Sequence, residues 1–109
     1  KNNNSEGKFI PPLPIDANYL EQKAALSALT DEINSNSSNP ENYYKRAQIY
    51  LILNNIKEDK YNISEALSIN KNEARFRLLN AEIFHAERVH YEDFRRLTKI
   101  ITSSQKSIL

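Results

Sequence analysis

Tyr43-Tyr44-Lys45-Arg46-Ala47-Gln48-Ile49-Tyr50 has an echo about 34 positions later, Arg77-Leu78-Leu79-Asn80-Ala81-Glu82-Ile83-Phe84. Ala47 falls on Ala81, Ile49 on Ile83 and Tyr50 on Phe84. A repeat of that length marks stacked helical hairpins, because one hairpin cannot bury its apolar face alone and relies on a neighbour to cover it. Such stacks generally serve as binding surfaces rather than as catalysts.

Working outward from Tyr43, Pro40 suits the first turn of a helix, where its missing N–H has no partner to lose, and a helix is predicted over 41–53. Asn54-Asn55 ends it, since asparagine tolerates the left-handed backbone that closes helices. Ile56, Ile63, Ala66, Leu67 and Ile69 recur at helical spacing and define the next helix. The short connection makes the two antiparallel neighbours. Upstream, Asp16 is the expected N-cap of a helix carrying Tyr19, Leu26, Leu29 and Ile33 as far as Asn34, followed by a polar loop from Ser35 to Asn39. Downstream, Asn70-Lys71-Asn72 resets the chain, after which Phe76, Leu79, Ile83 and Phe84 mark a fourth helix and Tyr91, Phe94, Leu97 and Ile101 a fifth. The expected fold is all-α, about five helices arranged as antiparallel hairpins in a short superhelix. The domain spans 16–109, with units near 40–73 and 74–104 preceded by a half-unit over 16–34.

Residues 1–15 lack helical periodicity. A polar tract rich in asparagine is followed by Phe9-Ile10-Pro11-Pro12-Leu13-Pro14, which reads as a tether whose Phe9 and Leu13 pack on the domain. That reading is preferred over a recognition motif built on the P-x-x-P of Pro11 and Pro14.

The unit beginning at Pro40 resembles the tetratricopeptide repeat family, whose repeat is a pair of antiparallel helices. Tyr43 stands at the large aromatic position, Ala47 at the small one and Tyr50 at the second aromatic one; Ile63 and Ala66 take the large and small positions of the second helix. Ala81 and Phe84 continue the pattern in the next unit. The physical logic is that helices approach to about 8–10 Å only where a small side chain faces a large one. Asp59 departs from it, standing where the family has alanine, as do Lys71 in place of proline and Arg77 in place of an aromatic residue. The family resemblance implies that the first helices of successive units line a groove, here through Glu41, Tyr44, Gln48, Leu51 and Ile52, then Arg75, Leu78, Glu82 and His85. Tyr44 and Leu78 stand where the carboxylate-clamping members need polar donors, which disfavours that activity.

Composition narrows the chemistry. Among 109 residues, 39% are hydrophobic, below the roughly 45–50% of ordinary globular chains, so the core is thin. Fifteen basic residues against fourteen acidic ones leave a net charge of +1, too little for a field that attracts nucleic acid or an anionic membrane. The absence of cysteine rules out disulfides and thiolate metal sites. His85 and His90 lie near Glu82, Glu87, Glu92 and Asp93, but their five-residue separation across an expected turn does not match the i, i+3 or i+4 ligand spacing of one helical face. No metal and no cofactor is therefore expected. No nucleophile elbow or phosphate loop is visible, so no catalytic residue is assigned and no enzyme activity is expected.

The sequence thus predicts a non-catalytic scaffold that accepts a peptide, a partner helix or another copy of itself in its groove. With roughly two and a half repeats where about three are needed, either self-association or a larger parent protein is expected. The alternative is a nucleic-acid-associated module using Arg95, Arg96, Lys99 and Lys106 on the last helix. The Asn- and Ser-rich start followed by prolines also resembles the region after the lipidated cysteine of a bacterial envelope lipoprotein, which favours envelope or periplasm over cytoplasm.

Overall fold

Three asparagines set the beginnings of the first three helices. In the computed structural model, which describes residues 7–14 and 16–108, α1 spans Tyr19–Ser35, α2 Pro40–Ile52, α3 Ile56–Ile69 and α4 Ala74–Ile108. Ile15 and the polar start of the tether lie outside the described residues, which contain no strand. Asn39 caps α2 by accepting the Glu41 N–H at 3.0 Å, with Pro40 in the first turn, and Asn55 caps α3 by accepting the Glu58 N–H at 3.4 Å. Between them Asn54 adopts φ 64°, the left-handed turn expected at the break. The cap of α1 is Asn18, not Asp16. Asn18 accepts the Glu21 N–H at 2.9 Å while the Glu21 carboxylate accepts the Asn18 N–H at 2.8 Å, a reciprocal box that Asp16 could not close.

The expected fourth and fifth helices are one. α4 runs 35 residues without interruption. No glycine or proline lies between Ala74 and Ile108, and nothing near His85 to Asp93 offers a backbone group a better partner than its own helical carbonyl. The described residues therefore form four helices, and the second hairpin of the expected stack does not form.

Helices α2 and α3 pack as an antiparallel hairpin, with α1 against α2 and the first part of α4 against α3. Their shared core holds Ile33, Tyr43, Ala47, Ile63, Ala66, Phe76, Leu79 and Ile83. Ala47 and Ala66 have no exposed surface, consistent with small residues at the closest approach of two helices. Ala81 and Phe84, expected inside, are exposed, Phe84 by 61%. Those two residues point where a returning helix would have lain. With α4 continuing straight, the face that meets α3 is Phe76, Leu79 and Ile83, and Tyr50 is half-buried.

A second cluster seats the N-terminal arm: Ile10 with Leu29 and Ile49, flanked by Leu13 and Leu26. Ile10, not Phe9, anchors it, Phe9 being 74% exposed beneath the Lys45 ammonium 4.3 Å from its ring centre. Lys45 also donates to the Ile10 carbonyl at 2.6 Å, and the Lys8 N–H donates to the Glu32 carboxylate at 2.8 Å. Gly7, the chain's one glycine, has φ 73°, and a Cβ there would collide with that same carboxylate.

Two polar groups enter the interior on different terms. Asn62 is fully buried and satisfied, accepting from Arg46 Nε at 2.7 Å and donating to the Glu58 carbonyl at 2.8 Å. Arg46 also reaches the Thr30 hydroxyl at 3.2 Å, which ties α1, α2 and α3 together. Asp59 is equally buried, yet neither carboxylate oxygen has a hydrogen-bond partner. Burial pushes its pKa up to about 7, against the opposing pull of its place in the first turn of α3.

Candidate interaction surface

The residues predicted to line a groove fall into two sets. At one end, α2 and the start of α4 are clamped together by their own side chains. The Arg75 guanidinium meets both carboxylate oxygens of Glu41, one at 3.1 Å and the other closer, and its Nε meets Glu73 at 3.0 Å. The same guanidinium lies 5.2 Å from the centre of the Tyr44 ring and 5.4 Å from that of Phe76, while the two rings sit 5.0 Å apart, tilted by 38°. Gln48 donates to the Tyr44 hydroxyl at 3.3 Å. The hydrogen bonds that Arg75 donates to Glu41 and Glu73 raise its own pKa and lower that of Glu73. Burial, opposed by the Arg75 charge, raises that of Tyr44. Because this corner satisfies itself, an incoming carboxylate would have to displace Glu41 or Glu73 to reach Arg75. Leu51 is half-buried against the core.

The second set is open. Ile52 is 57% exposed and Leu78 63%, and Glu82 and His85 are exposed as well. Leu78, Glu82 and His85 follow one another along a single face of α4. That face lies on the helix side away from Phe76, Leu79 and Ile83, so the body of the fold does not cover it.

Beyond the hairpin turn no other described helix packs on α4. Its last contacts with the body are the Lys60–Glu87 ion pair at 2.9 Å and the approach of His90 Nε2 to Asn54 Oδ1 at 2.6 Å. From residue 88 to residue 106 every side chain is exposed, including Val89, Tyr91, Phe94, Leu97, Ile100 and Ile101. The reason is directional: α3 begins beside Glu87, and antiparallel packing leaves it nothing to offer further along α4.

His85 and His90 do not straddle a turn but lie on the same helix, on different faces. Among the described residues no group of three or more His, Cys, Asp or Glu side chains is placed to hold a metal ion. Two of the four cations on the last turns are paired, Arg95 with Glu92 at 3.9 Å and Arg96 with Asp93 at 3.1 Å. Half the basic face is thus locally neutralised. Among the described residues no helix is long and apolar enough to cross a membrane.

Sequence reasoning singled out Phe94, Leu97 and Ile101 as the buried side of a packed helix and so missed that they are bare. The signal was present in the lack of any helix breaker after Ala74. Comparison with known proteins gives no matching family model, no matching curated protein and no matching solved structure.

Proposed function

We propose that this chain is a non-catalytic protein-docking module of tetratricopeptide-like helical hairpins, which binds a peptide, a partner helix or another copy of itself by burying apolar side chains of α4. One observation carries the reading: 19 successive exposed positions of α4, 88–106, include six large apolar side chains. A run of that kind on a soluble surface usually marks an interaction site. The small–large register of Ala47, Ala66, Tyr43 and Ile63 supports the likeness to the repeat family, with α2 and α3 as its one complete unit. Ile52 is exposed on α2, and Leu78, Glu82 and His85 share their line along α4 with Val89 and Ile100 as a second exposed face, whereas Glu41, Tyr44 and Arg75 hold α4 in place.

Selection of a displayed library of 20-residue helical peptides on the immobilised chain tests the reading. Enriched peptides are expected to carry apolar residues at i, i+3 or i+4 and i+7, and to bind Leu97→Glu at least about tenfold more weakly than the parent chain. No enrichment, or peptides indifferent to both Leu97→Glu and Leu78→Glu, would count against a docking role for α4.

A further inference from the structure

The N-terminal arm is held as a peptide ligand is held. Of residues 7–14 only Ile10 is buried and Leu13 half-buried, while Lys8, Phe9, Pro11, Pro12 and Pro14 face solvent. Ile10 packs with Leu29 of α1 and Ile49 of α2 in a cluster separate from the core that joins α2, α3 and α4. The remaining anchors go to the main chain of the arm. Glu32 accepts the Lys8 N–H at 2.8 Å, and Lys45 donates to the Ile10 carbonyl at 2.6 Å. Contacts of this kind read an extended backbone and one apolar side chain, which is how grooves recognise peptides. Pro11, Pro12 and Pro14 fix φ along the arm, so it loses little freedom on docking.

The walls of this groove are fastened to each other without the arm. Arg46 bridges the Thr30 hydroxyl of α1 and the Asn62 side chain of α3, and Ile33 of α1 belongs to the main core. With the arm away, Glu32 and Lys45 therefore remain as one acceptor and one donor beside the Leu29–Ile49 pocket. That pair fits any extended segment offering an N–H at one residue and, two residues on, an apolar side chain with its own carbonyl. The arm meets these terms and adds one of its own. Gly7, with φ 73°, lets the chain pass over the Glu32 carboxylate where a Cβ would collide.

We propose that residues 7–14 are an intramolecular ligand, a strap that closes an extended-peptide site between α1 and α2. Once the strap has left, the site takes a segment of the same chemistry from another protein: an apolar residue followed by two prolines, with an N–H two positions before it. Tethering gives the strap a concentration advantage over any incoming segment, so the closed form holds the site in reserve. The site lies apart from the docking face of α4 and stands or falls independently of it.

Titration of the full chain with the free peptide Gly-Lys-Phe-Ile-Pro-Pro-Leu-Pro, followed by nuclear magnetic resonance at the Leu29 and Ile49 methyl groups, tests it. Ile10→Glu should release the strap, and that variant should bind the peptide at least about tenfold more tightly than the parent chain does. The same peptide with glutamate for isoleucine should not bind. Gly7→Val leaves the apolar lining untouched and should shift binding in the same direction as Ile10→Glu. Equal binding by parent and Ile10→Glu, or methyl groups that respond in neither, would overturn the proposal. So would loss of hydrogen-exchange protection at residues 76–83 in Ile10→Glu, which would make the arm part of the core. A parent chain that dimerises by exchanging arms, and is monomeric as Ile10→Glu, would give the groove to a second copy and overturn the assignment to another protein.

Discussion

Asp59→Ala is expected to stabilise the fold by about 2–4 kcal/mol above pH 7 and to remove most of the pH dependence of stability between pH 4 and 7. The carboxyl group is fully buried between helices, and neither oxygen is hydrogen-bonded. Its pKa stands at about 7 in the fold, where an unfolded chain gives ~3.9. The sign follows from proton counting. Below pH 4 both states hold the proton and the group is neutral to stability. Between pH 4 and 7 the unfolded chain releases it while the folded chain keeps it, so stability falls as pH rises. Above pH 7 both states are ionised and the loss levels off near 4 kcal/mol, from about 1.4 kcal/mol per pH unit over three units. Alanine removes that cost and gives back a smaller amount for the space the carboxyl occupied. Urea unfolding at pH 5 and pH 8 measures both effects. A variant less stable than the parent at pH 8 would mean that Asp59 has a partner or is hydrated in solution.

Phe76→Ala is expected to cost about 3–5 kcal/mol, enough to loosen α4 from α3. Phe76 is the largest side chain with no exposed surface, and its ring rests on Tyr44 beneath the Arg75 guanidinium. Truncation leaves a cavity in the core that α2, α3 and α4 share. It also strands Tyr44, and the exposed ion pairs from Arg75 to Glu41 and Glu73 are too weak to hold the helix alone. The denaturation midpoint should fall sharply, and the amides of residues 76–83 should exchange faster than those of α2. A loss below about 1 kcal/mol would show that α4 is held by something other than this core.

Much of the fold is legible in the sequence. Pro40, the Asn54-Asn55 break and the spacing of Ile63, Ala66 and Leu67 bound α2 and α3 within a residue or two, because caps and periodicity are local signals. The misreadings came from letting one pattern outrank another. Aligning the second stretch on the first put Ala81 and Phe84 inside, although the apolar line through Phe76, Leu79 and Ile83 already named a different face. The same expectation of a hairpin placed a turn near His85 to His90, where the residues themselves contain no breaker. Asp16 was chosen as a cap on residue type alone, while the Asn18 to Glu21 spacing carried the fuller signature. Of the predicted groove, Ile52, Leu78, Glu82 and His85 are open, and Arg75, Glu41 and Tyr44 engage one another. That outcome depends on how α2 and α4 lie side by side, which no local pattern encodes.

The docking role stands on α4 being one helix that outruns its own fold. Electron–electron distance measurement between spin labels on Arg77→Cys and Lys99→Cys, diluted into unlabelled chain, tests this most directly. Twenty-two residues of unbroken helix place the labelled positions about 33 Å apart at ~1.5 Å per residue. A helix that turned back near His85 to His90 would pack against itself at about 8–10 Å, bringing the labels within about 20 Å, and would contradict the projecting surface outright.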